Sequence, residues 1–389
     1  MRRAFVAVLV MCAVMGCGTG SLPVATSSAA QPSPASPALL AAYFGSYRAG
    51  DGDILIIARL GWFFDTGDGA YRTLYATDAP NRFTIGFRFL EPSPAFAVIV
   101  FDAGTITVTE SSRRRVAQRI TYKQTDVAVP AAGAELAATI TDPLGSGAHP
   151  GIVVVHGAER GERYFYDIWV GVYASMGLAV LTYDKRGIGS STGIYPGEAP
   201  TVAALTTYAD DAAAMLSFLS RWPGVDASRV GFHGGSQGGW TVPLAMERHP
   251  GAAFDVLASA PATTVDQTDQ WAGYTGGGAS APLEAESRME SEVQAIHTGY
   301  DPRSAIEALR TPTLWLLGTN DRTVPTAICL QILSTLNKPN FSVHVLPTGH
   351  ALLVNPTGLL ADDARSPGLA LEMVPSLRQW MIRNVTQAG

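Results

Sequence analysis

The sequence predicts an α/β fold class: a mostly parallel, doubly wound sheet with helices on both faces, preceded by a small antiparallel β-domain. Two observations lead to this prediction. Residues 38–122 contain short alternating apolar runs, which turn residues separate every 8 to 12 positions. After residue 123, apolar strand patterns alternate with helical patterns, which is typical of a parallel sheet covered on both faces.

The first unit is rich in aromatic residues and glycine. Its predicted strands lie at 54–57, 62–65, 72–75, 82–87, 96–100 and 106–109. We expect the aromatic side chains to pack in a core, although they could also form a binding face. The only basic cluster of the chain, at 113–115, is either a solvated strand end or an anion site.

The second unit is predicted at residues 123–389. The strand patterns are a hairpin at 127–130 and 135–141, followed by strands near 151–156, 178–184, 229–235, 254–260, 312–318 and 341–346. A helix is predicted at 212–221, opened by two acidic residues that complement the helix dipole. Residues 261–302 interrupt the alternation, and we expect them to form a short cap that contains three consecutive glycines at 276–278.

A candidate nucleophile lies at the junction of a strand and a helix. Ser236 stands in the pattern Gly234-Gly235-Ser236-Gln237-Gly238, directly after an apolar run and directly before a helical pattern. A sharp turn from strand to helix leaves little room for side chains beside the serine, and the following helix points N–H groups at a developing oxyanion. The context predicts a catalytic serine, although the same pattern also occurs in ordinary glycine-rich loops.

An acid and a histidine follow in the chain order that this elbow requires. Asp321 comes after the apolar strand pattern at 311–318, and His350 comes on a loop after the strand pattern at 341–347. We expect Ser236 to attack, His350 to transfer the proton and Asp321 to orient the imidazole. Asp321 could instead be a turn residue and His350 an exposed loop residue. The remaining candidates fit less well: His233, His249, His297 and His344 lie in strand or helix patterns.

The oxyanion hole needs a second N–H group from the loop after an earlier strand. The apolar run at 151–155 leads into His156-Gly157-Ala158, so the backbone N–H groups of Ala158 and Gln237 are the predicted donors. An ordinary glycine turn is the alternative. No sequence feature predicts a cofactor or a metal site.

Together these segments resemble the α/β-hydrolase superfamily, in particular serine esterases related to dienelactone hydrolases and prolyl-oligopeptidase-type (S9-type) peptidases. The resemblance spans residues 125–385 and rests on the strand before Gly157, the Asp-Lys-Arg-Gly-x-Gly-x-Ser-x-Gly stretch at 184–193, the elbow, and the segments around Asp321 and His350. It implies the α/β-hydrolase fold and ester or amide hydrolysis. Such esterases often have Ser-Gly-Pro after the His-Gly pair. Here a charged loop follows, so Glu159 and Arg160, with Trp240 after the elbow, are candidate substrate contacts.

The N-terminus predicts export. Residues 1–16 read as a signal peptide, because a positive start precedes an apolar stretch too short to span a bilayer. Cys17 follows in a context that resembles a bacterial lipobox, so we expect lipidation there and anchoring at the cell envelope. The alternative is a plain secreted protein cleaved near Ala29. Residues 17–37 are predicted to be a flexible tether. Of three cysteines, only Cys329 remains, and we expect it to be a buried, inert thiol.

The whole chain has 389 residues and a net charge of −6, so nothing indicates a nucleic-acid-binding face. We therefore expect a lipid-anchored serine hydrolase that cleaves carboxylic esters of short to medium chains. Two alternatives stay open. One is an S9-like aminopeptidase or amidase acting on short peptides, for which Glu159, Glu162 or Arg163 could bind a charged peptide terminus. The other is a surface lipoprotein that binds without catalysis.

Overall fold

The structure, a computed structural model, describes residues 33–275 and 286–387. The predicted signal peptide at 1–16, the predicted lipidation site Cys17, the tether up to residue 32 and the glycines at 276–278 lie outside the described residues. Within the described residues, no helix is both long enough and apolar enough to cross a membrane.

The first unit is a closed antiparallel barrel, in which the first strand pairs with the second and also with the eighth. Its strands are β1 Gly45–Ala49, β2 Ile54–Ala58, β3 Trp62–Asp65, β4 Tyr71–Ala76, β5 Arg82–Ile85, β6 Ala97–Asp102, β7 Thr105–Glu110 and β8 Arg113–Ile120, preceded by helix α1 Pro37–Leu40. The aromatic side chains of Phe63, Phe83 and Phe101 are buried inside the barrel, as the alternating pattern predicts. The predicted antiparallel β-domain is confirmed.

The basic cluster at the start of β8 is neither simply a solvated strand end nor an anion site. Arg113 and Arg114 are exposed, but Arg115 is largely buried against acids of the barrel itself. Its guanidinium lies 3.0 Å from Asp53 and also binds Asp65. The positive charge of Arg115 is therefore used to pair carboxylates within the barrel.

One outer face of the barrel packs against the second unit. The five residues of β2 are all buried, and Ile54 and Ile56 belong to the same apolar cluster as helix α2 Asp167–Ser175. Gly171 of α2 lies against Ile56, where a Cβ atom would come within 2.6 Å of the isoleucine. At the edge of this contact, the backbone N–H of Arg59 donates to the Asp167 carboxylate at 2.8 Å.

The second unit is built on an eight-stranded sheet. In chain order its strands are β9 Lys123–Ala131, β10 Ala134–Asp142, β11 His149–Val155, β12 Ala179–Tyr183, β13 Val225–Gly235, β14 Asp255–Ala258, β15 Thr313–Gly318 and β16 Phe341–Leu346. They lie in the order β16-β15-β14-β13-β11-β12-β10-β9. Strands β11 to β16 pair in parallel, and β10 pairs antiparallel with β9 and β12. This arrangement confirms the predicted fold class.

Helices cover both faces of the sheet. After α2 they are α3 Val202–Leu219, α4 Gly238–Arg248, α5 Val265–Tyr274, α6 Glu286–Gln294, α7 Arg303–Ala308, α8 Thr326–Leu336, α9 Leu360–Asp363 and α10 Met373–Met381. Helices α5 and α6 fall in the segment predicted to form the cap. Cys329 on α8 is fully buried, as predicted, and burial raises the pKa of its thiol to about 11.

The predicted start of the helix at residue 212 is wrong. Helix α3 begins at Val202, where the Thr201 side chain caps it by accepting a hydrogen bond from the N–H of Ala204 at 3.2 Å. Asp211 therefore lies in the middle of the helix, buried against the guanidinium of Arg186, whose Nε donates to it at 3.0 Å. Pairing with a buried arginine, not the helix dipole, accounts for the acid at this position.

Candidate active site

The nucleophile candidate lies at the carboxyl end of a central strand. Strand β13 ends at Gly235 and helix α4 begins at Gly238, so Ser236 occupies the turn between them. Its backbone φ is +52°, a left-handed conformation that a serine adopts only when its surroundings enforce it. Gly234 has no room for a side chain, because a Cβ atom there would lie 2.8 Å from the carbonyl oxygen of Gly238. The turn therefore holds the hydroxyl away from the strand.

The structure brings together the three residues that the sequence proposed. The imidazole Nε2 of His350 lies 3.0 Å from the hydroxyl oxygen of Ser236. Its Nδ1 lies 2.8 Å from the Oδ2 atom of Asp321. These side chains come from loops after β13, β15 and β16, whose carboxyl ends meet at the same edge of the sheet. The arrangement places a base between a hydroxyl and a buried carboxylate.

The Asp321 carboxylate is held by the backbone. Its Oδ1 atom accepts hydrogen bonds from the N–H groups of Thr323 and Val324, each at 2.8 Å. Oδ2 is therefore left for His350. Burial of the imidazole lowers its pKa, but the charge of Asp321 and its hydrogen bond outweigh this effect, so the pKa of His350 is raised above its usual value. Asp321 thus stabilises the imidazolium form.

Two residues near His350 were missed in the sequence. The Ser259 hydroxyl donates to the backbone carbonyl of His350 at 2.6 Å and fixes the loop that carries it. Asp363 is a second buried carboxylate whose charge further raises the pKa of His350. Burial raises the pKa of Asp363 itself to about 6, partly opposed by a hydrogen bond from Asn355 and by His350. Neither residue lies in a recognisable motif, so no local signal marks them.

The two predicted oxyanion donors lie on adjacent loops. Gly157 follows β11 and passes beside the nucleophile, since a Cβ atom built on it would lie 3.5 Å from the Cβ of Ser236. In the described residues, the N–H groups of Ala158 and Gln237 donate to no group of the chain. Both N–H groups are therefore free to bind a ligand.

The charged loop after Gly157 forms its own network. The Oε1 atom of Glu159 lies 3.0 Å from Nδ1 of His156 and accepts a hydrogen bond from the Tyr166 hydroxyl at 2.6 Å. Burial would raise the pKa of Glu159, but the hydrogen bond to His156 and the nearby charge of Lys185 hold it at about 2. Glu159 is therefore an anion that the protein already binds.

The other two candidate substrate contacts differ from each other. Arg160 is exposed, and its guanidinium lies over the ring of Tyr195 at 4.7 Å. Trp240 is buried in the core of the α/β domain, and its indole N–H donates to the carbonyl of Thr263 at 2.9 Å. The structure gives no support to the prediction that Trp240 contacts substrate, because helix α4 turns this side chain inward.

Two of the competing histidines contact other side chains. His233 is fully buried next to the hydroxyl of Tyr173, at 2.8 Å, and burial lowers its pKa to about 3. His249, after α4, lies 2.8 Å from the Asp210 carboxylate. His344 lies on the edge strand β16. In the described part of the chain, no three His, Cys, Asp or Glu side chains are grouped so that they could hold a metal ion.

Known proteins share parts of this sequence and fold. Residues 166–352 match the model of the prolyl oligopeptidase family. This match lies within the α/β domain, which is therefore similar to that family over these residues. The chain is similar in structure to an esterase from Pyrococcus furiosus, at 17% identity and a TM-score of 0.50, over 68% of this chain and 92% of that one. It is also similar to dipeptidyl peptidase 4 from Porphyromonas gingivalis, at 17% identity and a TM-score of 0.48, over 87% of this chain and 49% of that one. A search of curated protein sequences found no match.

Proposed function

We propose that the hydrolase cleaves carboxylic esters through an acyl-enzyme on Ser236. His350 accepts the hydroxyl proton as the serine oxygen attacks the ester carbonyl, and then gives it to the leaving alcohol. Asp321 holds the imidazole in the required tautomer and stabilises its cation. The N–H groups of Ala158 and Gln237 bind the oxyanion. Water then enters, His350 takes its proton, and the acid is released as Ser236 regains its proton.

One observation carries this proposal: a serine in a left-handed turn lies within hydrogen-bonding distance of a histidine that a buried carboxylate orients. A serine hydroxyl is a weak nucleophile unless such a base accepts its proton. The two N–H groups without a partner beside Ser236 add the electrostatic component that acyl transfer needs.

The charged groups of the oxyanion loop favour esters over peptides. A peptidase that recognises a peptide terminus needs a charged side chain free to bind it. Arg163 is buried beside Asp184, with 3.9 Å between their charged groups, and Glu159 already binds His156 and Tyr166. Of the three candidates, only Glu162 is exposed. We therefore propose uncharged short to medium acyl esters as the substrates.

The test is a substrate screen of a fragment that begins at residue 33, with p-nitrophenyl esters of increasing chain length and aminoacyl amides in parallel. We expect turnover of esters, and Ser236→Ala should lose about 10³-fold or more of it. His350→Ala should be as inactive, whereas the control His344→Ala should remain active. Faster cleavage of aminoacyl amides supports the aminopeptidase instead. An absence of both turnover and fluorophosphonate labelling at Ser236 supports a non-enzymatic binding protein.

We further propose that the hydrolase is exported and anchored to the cell envelope by lipid on Cys17. The support is the sequence pattern alone: an apolar stretch after two arginines, followed by the cysteine. Wild-type protein should partition with membranes, and Cys17→Ser should release it. Mature protein that carries no lipid and begins near Ala30 would contradict the anchor.

A further inference from the structure

A buried lysine contacts the loop that carries one of the proposed oxyanion donors. Lys185 follows strand β12, is 2% exposed, and donates through Nζ to the carbonyl oxygen of Gly157 at 2.6 Å. A buried ammonium is costly unless its hydrogen bonds and charge are satisfied. The ammonium also lies over the ring of Tyr208, at 4.9 Å, but its hydrogen bond goes to a backbone carbonyl next to the nucleophile, which indicates a specific use for this position.

The neighbours of Lys185 are buried as well but bind other elements. Asp184 accepts hydrogen bonds from the N–H groups of Arg163 and Ser190, at 2.8 and 2.9 Å. Arg186 binds Asp211 on helix α3. Of these three consecutive charges, Lys185 is therefore the one that holds the peptide leading into Ala158.

The geometry of a peptide unit links this contact to the oxyanion hole. In a trans peptide, the C=O of one residue and the N–H of the next point to opposite sides. Because Lys185 binds the Gly157 oxygen, the N–H of Ala158 points away from the lysine. That N–H has no partner in the described residues, and Gly157 passes directly beside Ser236.

The peptide that joins His156 to Gly157 is also bound by a side chain. The N–H of Gly157 donates to the Tyr166 hydroxyl at 3.2 Å, and that hydroxyl donates in turn to Glu159. Gly157 is therefore fixed by two side chains from different segments. Burial lowers the pKa of Lys185 to about 8 against the opposing charges of Glu159 and Glu198, so the ammonium is mainly charged at neutral pH.

We propose that Lys185 is a positioning residue, which turns the Ala158 N–H toward the carbonyl oxygen of the substrate and, through its charge, strengthens that N–H as a donor. A cation on the oxygen of an amide polarises the whole unit, so the N–H end becomes more positive. The inference rests on the proposed acyl transfer at Ser236, and it assigns to Lys185 an effect on the transition state and not on substrate binding.

The expected effect is therefore on kcat. Removing one oxyanion donor from a serine hydrolase costs about 10²- to 10³-fold in kcat. Lys185→Met keeps the length of the side chain and the Ala158 N–H itself, but removes the hydrogen bond that orients this N–H. We therefore expect kcat to fall by about 10- to 100-fold on the same scale. KM should stay within about threefold, because binding of the ground-state ester does not depend on this donor.

The experiment compares Lys185→Met with Lys123→Met, which makes the same change at an exposed lysine on β9. Both variants are assayed with one p-nitrophenyl ester, and rates are divided by the serines that a fluorophosphonate titrates. The inhibition constant of a trifluoromethyl ketone, whose adduct carries an oxyanion, is measured in parallel. We expect it to rise in step with the loss of kcat/KM for Lys185→Met and to stay unchanged for Lys123→Met.

An unchanged kcat per titrated serine, or a loss of kcat without weaker ketone binding, overturns the role of Lys185. If Lys185→Met does not fold, Lys185→Gln, which removes the charge but keeps a polar side chain, decides in its place: kcat should fall with KM within about threefold, and an unchanged kcat overturns the inference. Full turnover by Ser236→Ala overturns the proposed function itself. This outcome is distinguishable from a failure of the Lys185 inference, because no part of the rate would then depend on Ser236.

Discussion

Replacing Asp321 with asparagine tests how the site orients its base. In the structure, Oδ1 of Asp321 accepts two backbone N–H groups while Oδ2 faces Nδ1 of His350. An asparagine oxygen must stay on the two N–H donors, because an amide nitrogen cannot accept them. The amide nitrogen then faces Nδ1 as a donor, so His350 carries its proton on Nε2, pointing at Ser236. The base is thereby in the wrong tautomer.

The size of the effect follows from this geometry. A histidine in the wrong tautomer beside an intact serine costs about 10⁴-fold in kcat, which corresponds to about 5.5 kcal/mol of transition-state stabilisation. Asp321→Asn also removes the charge that raises the pKa of His350. Because only the neutral imidazole accepts the serine proton, wild-type activity should fall as pH drops through a pKa above the usual 6.5 of histidine. In the variant this limb should move to lower pH.

The assay is the pH dependence of kcat/KM for a p-nitrophenyl ester. Asp363→Asn is a matched control, since it removes another buried negative charge near His350 without removing the hydrogen bond to Nδ1. In both variants we expect the acidic fall in kcat/KM to move to lower pH. Only Asp321→Asn should also lower the plateau value of kcat/KM that is reached above this pKa. A plateau for Asp321→Asn within about tenfold of wild type would refute the reasoning, since the tautomer argument requires a loss of about 10⁴.

Two further predictions concern stability. Asp255 is fully buried, and burial raises its pKa to about 7 against hydrogen bonds from Thr311 and Thr313, so its ionisation lowers the stability of the fold progressively as pH rises from about 4 to 7. Asp255→Asn should therefore raise the free energy of unfolding by at most about 4 kcal/mol at pH 8 and by little at pH 4, measured by urea unfolding at both values. An equal effect at both pH values would contradict the buried charge. Gly239→Ala should lower the melting temperature by several degrees, because its Cβ atom would lie 2.4 Å from the Cβ of Ala260. In the control Gly235→Ala, the nearest atom to the new Cβ is 3.9 Å away. Equal melting temperatures for the two variants would show that helix α4 can move away.

The parts of the site that the sequence predicted are local. Ser236, Asp321 and His350 each follow a strand pattern at a point where parallel strands place their carboxyl ends, so their meeting follows from the order of strands and loops. The free N–H groups of Ala158 and Gln237 were predictable for the same reason, because each belongs to a turn with a recognisable glycine pattern.

The parts that the sequence missed depend on side-chain contacts between distant segments. Lys185 reaches Gly157 across 28 positions, and Asp363 acts on His350 from a short helix that has no motif. The core position of Trp240 was missed because periodicity does not say which face of α4 meets the core. The barrel was predicted as a set of strands, but its closure depends on the pairing of β1 with β8, about 70 residues apart, which no local pattern specifies.

The central claim is that Ser236 forms an acyl-enzyme. The most direct measurement mixes the fragment that begins at residue 33 with a p-nitrophenyl ester, quenches within the first turnover in acid, and maps the added acyl mass by peptide mass spectrometry. We expect a burst of p-nitrophenol of about one equivalent per active site and an acyl group on the peptide that contains Ser236. Turnover without a burst or an acylated peptide, or an acyl group on a different residue, would contradict it.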